Sequence, residues 1–355
     1  MSSLLNRLRS DVPTTPITSG LILIIIIVFI AMVLAGAGLL HENTTIPLQW
    51  GANFGPATQD GQWWRLGSAM FLHFGVIHLV FNSWALWDGG QWAERMYGHG
   101  RFALIFLLSG LLGNLASLVY HQGQVVSGGA SGAIFGVYGS LISFLWASRG
   151  SVGLPEFRFL FFGASLFILL SLLVGFVVEG IDNAAHIGGG LTGLLAGFLL
   201  LPNVNSTAKR KIMGGLMLAG YCAALVIKIP EPRYLWSEEL LLRAEISEFL
   251  LKDEQVSQEW SSLVQPDNLV SSSFDALAGQ LEQEVVQHYE DSFEQLSSLP
   301  HNSHLPSAGT LETLEAYVEK RRVLSREMAE SLKTRDQWRW KRAVEDASNT
   351  PVLEE

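Results

Sequence analysis

Leu21-Ile22-Leu23-Ile24-Ile25-Ile26-Ile27-Val28-Phe29-Ile30 lies within an apolar run from Gly20 to Leu40. A helix needs about 20 mostly apolar residues to cross a bilayer, and this run is long enough. It exceeds the roughly 7–15-residue apolar region of a signal peptide, and no small-residue cleavage site stands out. The run therefore reads as a first transmembrane span. Six more candidates follow: 68–88, 102–120, 130–148, 158–178, 184–201 and 212–229, beside the first at 19–40. The composition agrees. Of 355 residues, 49% are hydrophobic and only 16% charged, against about 25% charged in ordinary soluble domains.

The charge is unevenly placed. Residues 1–230 carry 11 basic and 8 acidic side chains, a net of +3, whereas residues 231–355 carry 12 and 25, a net of −13. A hydrophobic body thus precedes an acidic, water-soluble tail. Four regions are expected: a cytoplasmic N-terminal segment (1–18), a six-span core (19–201), a loop with a seventh span (202–229) and a helical acidic tail (230–355). Orientation follows from Lys and Arg in short loops. Arg7 and Arg9, Arg95 and Arg101, Arg149 and Arg158, and Lys209, Arg210 and Lys211 all fall on one side if the N-terminus is cytoplasmic. A seventh span then places the tail on the outer side.

In the tail, Ser237 is expected to cap a helix ending near residue 256. A second helix is expected over about 274–297 and a third from Thr310 to about Val344, separated by Gln265-Pro266-Asp267 and by Pro300 and Pro306. Leu311, Leu314, Val318, Met328 and Leu332 form a partial apolar stripe on the last. Nothing in the tail has ligand or catalytic spacing. The single cysteine, Cys222, permits no intrachain disulfide and reads as helix packing.

Ionisable and polar side chains inside a membrane are costly and need a reason. The second span carries His73, His78 and Asn82. The fourth opens with Ser127-Gly128-Gly129-Ala130-Ser131-Gly132, and the sixth with Asn183-Ala184-Ala185-His186. All three spans start at the outer face, so these groups share a depth. Gly132 and Gly136 recur at a spacing of four on one span, as do Gly189, Gly193 and Gly197 on the other. Small residues at that spacing let helix backbones approach closely; if the fourth and sixth spans pack along those faces, Ser131 and His186 come within hydrogen-bond reach. Histidine can take a serine proton near neutral pH. His78 and Asn82 are one turn apart, so with the Ser131 amide they are candidate oxyanion donors. No HExxH segment occurs and acidic residues are nearly absent from the spans, so neither a metal nor any other cofactor is expected.

Gly129-Ala130-Ser131-Gly132-Ala133-Ile134-Phe135-Gly136 resembles the GxSGxxxG nucleophile motif of the rhomboid family of intramembrane serine proteases. Ala185-His186-Ile187-Gly188-Gly189-Gly190-Leu191-Thr192-Gly193 resembles its AHxxGxxxG motif, His73-Phe74-Gly75-Val76-Ile77-His78-Leu79-Val80-Phe81-Asn82 its second-span HxxxN region, and Trp64-Arg65 its loop pair. The resemblance covers about residues 19–201. It implies an all-α polytopic membrane fold with a six-helix catalytic core around an outward-opening, water-filled cavity, and a Ser131–His186 dyad with no third acidic member. Ser131 would form the acyl-enzyme, with His78, Asn82 and the Ser131 amide on the oxyanion. Gly129 would support the turn at the nucleophile, and Trp64 and Arg65 would be structural. The fifth span would border the lateral route for substrate. Phe135, where some bacterial members carry Tyr, would orient His186 by packing. Gln62 stands where an acidic residue often precedes the Trp-Arg pair.

The implied activity is endoproteolysis of transmembrane segments of other proteins near the outer face. Shielded backbone in a membrane helix must first unwind, so substrates with Gly, Pro or other helix-weakening residues there are expected. The alternatives are a catalytically silent relative that binds transmembrane helices and a transporter or channel. The expected partners are membrane-protein substrates, the lipid bilayer and an unidentified partner for the tail, with no nucleic acid. A bacterial inner membrane is the expected location. Asn43-Thr44-Thr45 would accept a glycan only on a eukaryotic secretory route.

Overall fold

The computed structural model describes residues 4–40, 44–202, 208–263 and 273–348. Among these residues it is helical and without a named strand. Asn43 and the Gln265-Pro266-Asp267 breaker lie outside the described residues. The chain divides into two compact units, Met1–Pro232 and Arg233–Glu355.

The first unit runs α1 (Leu4–Asp11), α2 (Pro16–Leu34), the short helices α3 (Thr45–Gln49), α4 (Gly55–Gln59) and α5 (Arg65–Ser68), a 3₁₀ turn (Ala69–Phe71), then α6 (Val76–Tyr97), α7 (His99–Tyr120), α8 (Ser131–Ser148), α9 (Leu154–Val177), α10 (Asn183–Leu199) and α11 (Ala208–Ile227). Helices α2, α7, α8, α9 and α11 are long and apolar enough to cross a membrane, as is the pair Arg65–Phe71 and Val76–Tyr97 taken together. The protein is therefore a multi-pass integral membrane protein. Helix α10, with 17 residues, is about 26 Å long, short of a full hydrocarbon thickness.

The second expected span differs from its sequence outline. Its two parts are bent by 92° at the break, where Gly75 has a φ of +98° that only glycine adopts easily. The straight helix begins at Val76 and runs nine residues past the expected end at residue 88, so that it takes in Glu94 as well as Asp88. Neither carboxylate is solitary. Asp88 accepts a 2.8 Å hydrogen bond from the Tyr138 hydroxyl. Glu94, fully buried, accepts from the amides of Ile17 and Thr18 and from the Thr18 hydroxyl, and pairs with His99. It thereby satisfies the start of α2, whose first amides lack helical acceptors.

Helix α8 is central, packing on α6, α7, α9 and most closely on α10. Glycine sets that contact. A Cβ on Gly189 would run into the backbone of Gly132, one on Gly193 into Gly136, and one on Gly197 would meet the Ser140 Cα at 3.0 Å. The register advances one turn per step on both helices. Below it, Ser143 donates to the Leu194 carbonyl at 2.6 Å, and the Tyr97 hydroxyl lies 2.8 Å from the Ser140 carbonyl and 3.2 Å from that of Gly197. Helix α9 is the opposite case. Only Ala164 is buried along it, and Phe159, Phe162, Leu166, Leu169, Leu170 and Leu173 face outward, as expected of a lipid-facing helix.

The second unit holds α12 (Trp236–Leu263), a nearly continuous helix over Phe274–Leu281, Glu282–Val286 and Gln287–Ser297, then Ala308–Thr334 and Gln337–Ser348. Its first helix starts at Trp236, so Ser237 lies in the first turn and is not the cap. The expected third helix is broken in two. Arg335 takes a left-handed conformation (φ +56°), the Asp336 amide donates back to the Ser331 carbonyl, and the Asp336 carboxylate accepts from the amides of Trp338 and Arg339 to begin a new helix. Leu311, Leu314, Val318, Met328 and Leu332 are all buried in this unit's own core.

Because α8 and α10 touch through backbone at Gly193, Gly193→Ala is expected to destabilise the protein by about 1–3 kcal/mol. Gly163 on α9 has open space around it, so Gly163→Ala is expected to leave stability unchanged. Thermal midpoints of both purified variants in detergent check the contrast.

Candidate active site

Ser131 is the first residue of α8, and His186 stands in the first turn of α10. The glycine register described above aligns these two helix starts. The result is a 2.8 Å contact between Ser131 Oγ and His186 Nε2. The imidazole is buried and stacks on the Phe135 ring, with centroids 4.2 Å apart and planes 10° from parallel. Phe135 itself is four residues, one turn, beyond Ser131, so α8 supplies both the hydroxyl and the surface that holds its partner ring. His186 Nδ1 has no hydrogen-bond partner among the described residues. Among the described residues no carboxylate completes a triad through that atom.

The loop before Ser131 is held in a conformation that needs glycine. Gly129 has a φ of +130° and its amide donates to the Ala69 carbonyl at 2.8 Å. A Cβ there would stand 2.7 Å from His78 Cε1 and 2.8 Å from its Nε2, so the His78 ring edge lies directly on Gly129. The Phe74 amide is placed to donate to His78 Nδ1 at 3.4 Å, a long bond that leaves Nε2 to carry the proton toward the Ser131 loop. Asn82 is buried beside it. Its amide group donates to the His78 carbonyl at 2.9 Å, and its Oδ1 has no partner. One of the Asn82 N–H bonds is thus turned along its own helix, and the second is free of that bond. As the first residue of α8, Ser131 has an amide without an intrahelical acceptor. His73 lies against His78 at a ring separation of 5.0 Å.

Trp64 and Arg65 are not among these groups. Arg65 is buried and donates to the carbonyls of Leu48 at 2.7 Å and Ala52 at 3.1 Å, and to the Gln62 side-chain oxygen at 2.8 Å. Gln62 thus supplies the acceptor that an acidic residue would offer. The Arg65 guanidinium also lies over the Trp64 ring at 5.0 Å. Both residues organise the loop between α2 and α6. Among the described residues no cluster of His, Cys, Asp and Glu could hold a metal ion.

One residue in this region escaped the sequence reading. Asp182 caps α10, its side chain accepting from the Ala185 amide at 3.0 Å. The same carboxylate accepts from Ser127 at 2.7 Å, from Ser117, and from His121 Nε2 at 3.3 Å. It reads as an ordinary loop acid because its partners are 55 to 65 residues away. A Ser or Asp just before a helical run signals a cap, and nothing local signals the rest.

Fold and site together define a polytopic helical membrane protein with a serine–histidine pair at the starts of two packed helices. A family model described as the rhomboid domain matches residues 60–203. The chain is 39% identical over 178 residues to "Rhomboid protease GluP" of Bacillus subtilis, covering 50% of this chain and 34% of that protein. It is 35% identical over 150 residues to "Putative rhomboid protease YdcA" of the same organism, covering 42% and 70%. It is also 37% identical over 179 residues to "Inactive rhomboid protein 2" of Homo sapiens, covering 47% and 20%. The chain belongs to the rhomboid family.

Asp182 sits in the loop before α10. Burial alone would raise its pKa, but the hydrogen bonds from His121, Ser117, the Ala185 amide and Ser127 outweigh burial and hold it at about 2. The same contact raises His121. An acid whose folded pKa is depressed stabilises the fold above its unfolded value and loses that contribution as pH falls through the folded one. The gap in thermal midpoint between wild type and Asp182→Asn is therefore expected to be widest above about pH 4 and to narrow as pH falls toward 2. A gap that does not change with pH would contradict the assignment.

Proposed function

We propose that this protein is an active intramembrane serine endopeptidase that cleaves transmembrane segments of other membrane proteins. The observation that carries the reading is the 2.8 Å contact between Ser131 Oγ and His186 Nε2. Ser131 attacks the scissile carbonyl as His186 Nε2 takes its proton. The imidazolium then gives a proton to the leaving amine, and water releases the acyl-enzyme by the reverse roles. In this reading His78 Nε2–H, the second N–H of the Asn82 amide group and the Ser131 amide stabilise the oxyanion. No metal or other cofactor takes part. Stacking on Phe135 orients the base where other proteases use a carboxylate.

Substrates are membrane helices that unwind near the outer face, because hydrogen-bonded helical backbone shields its carbonyls. The names of the two Bacillus subtilis relatives favour proteolysis, and that of the human relative favours an inactive protein. The silent reading leaves the apposed Ser131 and His186, and the glycine path that aligns them, without a purpose. We place the protein in a bacterial inner membrane with a cytoplasmic N-terminus, on the distribution of Lys and Arg and the bacterial relatives. The domains follow: residues 1–18 cytoplasmic, 19–201 catalytic, 202–229 carrying a seventh span, and 230–355 outside the cytoplasm.

Purified protein in detergent, given a transmembrane reporter substrate, is expected to cleave it. Ser131→Ala and His186→Ala are expected to abolish cleavage, and Asn82→Ala to slow it by about 10²–10³-fold while remaining folded. Cleavage by the Ser131→Ala and His186→Ala variants at the wild-type rate would end the protease reading. A normal rate for folded Asn82→Ala would remove that residue from the oxyanion site. For topology, a C-terminal reporter that is active only outside the cytoplasm is expected to be active. Activity instead of a reporter restricted to the cytoplasm would contradict the outer placement of the tail.

A further inference from the structure

Four groups from three segments meet at the carboxylate of Asp182, and two of those segments carry the proposed catalytic pair. Its Oδ1 accepts from the Ala185 amide at 3.0 Å, the residue immediately before His186. Its own carbonyl accepts from the His186 amide at 3.1 Å. Its Oδ2 accepts from Ser127 Oγ at 2.7 Å, four residues before Ser131. Ser117, near the end of α7, and His121, just beyond it, complete the set. The side chain is only 13% exposed, so these bonds have little competition from water.

Ser127 is fixed from its other side as well. Its amide and carbonyl exchange 2.8 Å hydrogen bonds with Asn53, and Asn53 is itself tied to the Asn114 carbonyl on α7 at 2.9 Å. The segment entering Ser131 is therefore clamped between Asn53 and Asp182. Two residues further on, the Gly129 amide is held by Ala69. Between Ser127 and Ser131 the chain has two glycines, which offer no side-chain packing to fix the path. The glycine contacts hold α8 against α10 from Gly132 onward; ahead of Ser131, Asp182 is a group that touches both the loop and the start of α10.

We infer that Asp182 is a positioning residue that sets the separation of Ser131 and His186 by tying the nucleophile loop to the start of α10. This inference rests on the protease reading. It assigns Asp182 no contact with substrate or with the reacting atoms. Reaction geometry is unforgiving at this scale, since a misplacement of about 1 Å can cost about 10²-fold in rate. Losing Asp182 is therefore expected to lower the rate of the chemical step far more than substrate binding.

The test compares wild type, Asp182→Ala, Asp182→Asn, Ser127→Ala and the Ser131→Ala control on one reporter substrate. kcat and KM are measured per folded molecule, and foldedness is judged by thermal unfolding. Asp182→Ala is expected to lower kcat by about 10–100-fold with KM within about twofold. Ser127→Ala removes one strand of the same tie, so a smaller loss is expected. A double variant carrying both Ser127→Ala and Asp182→Ala should be no slower than Asp182→Ala alone. Asp182→Asn keeps the cap on Ala185 and is expected to recover part of the loss. If Asp182→Ala does not fold, Ser127→Ala and Asp182→Asn carry the decision. Wild-type kcat in all folded variants overturns the positioning role, as does a change confined to KM. A wild type that cleaves no faster than Ser131→Ala overturns instead the protease reading on which it rests.

Discussion

Backbone-to-backbone contact between α8 and α10 is the constraint on which the rest of the membrane unit depends. Gly132, Gly136, Gly189 and Gly193 meet where any side chain would intrude on main chain. Lipid offers no hydrophobic drive for two membrane helices to associate, so close packing and hydrogen bonds must supply it. Here the packing comes from glycine and the bonds from Ser143 and Tyr97 to carbonyls of α8 and α10. The consequence is local and chemical. Two helices in that register present their first turns side by side, and those turns hold Ser131 and His186.

A serine–histidine pair without a carboxylate must orient its base by other means. The buried His186 ring lies flat on Phe135, and aromatic contact of this kind is worth about 0.5–1.5 kcal/mol beyond burial. That energy restricts the ring plane without choosing which nitrogen carries the proton. The bond to Ser131 makes that choice when Nε2 accepts. Asp182, the acidic residue that caps α10, is used differently. Its four acceptor contacts go to a cap, two serines and a histidine, so it holds backbone segments and leaves Nδ1 of His186 alone.

Much of this was legible in the sequence because the informative features are local. The apolar runs give the spans, and the four-residue glycine spacing gives the α8–α10 face. The polar residues at one depth give Ser131, His186, His78 and Asn82. What sequence reasoning missed depends on contacts between distant residues. The bend at Gly75 moves the start of the second long helix, and the helix runs on past Asp88 to take in Glu94. Nothing near Asp88 in the chain announces Tyr138, its partner 50 residues away. In the tail, the break at Arg335 has neither Gly nor Pro to mark it. The second unit also buries a polar group that no periodicity reveals: Asp253 accepts from the hydroxyls of Tyr289 and Tyr317, and Arg321 donates to Tyr317. Burial and these bonds to Asp253 raise the phenol pKa of both tyrosines.

The central claim is that the Ser131 hydroxyl is made nucleophilic by the imidazole it touches. Mass-spectrometric mapping of the protein after reaction with a fluorophosphonate tests this most directly. One adduct, on the peptide containing Ser131, is predicted in the wild type, and none when His186 is replaced by alanine. An adduct on another residue, or equal modification of Ser131 without His186, would contradict the account.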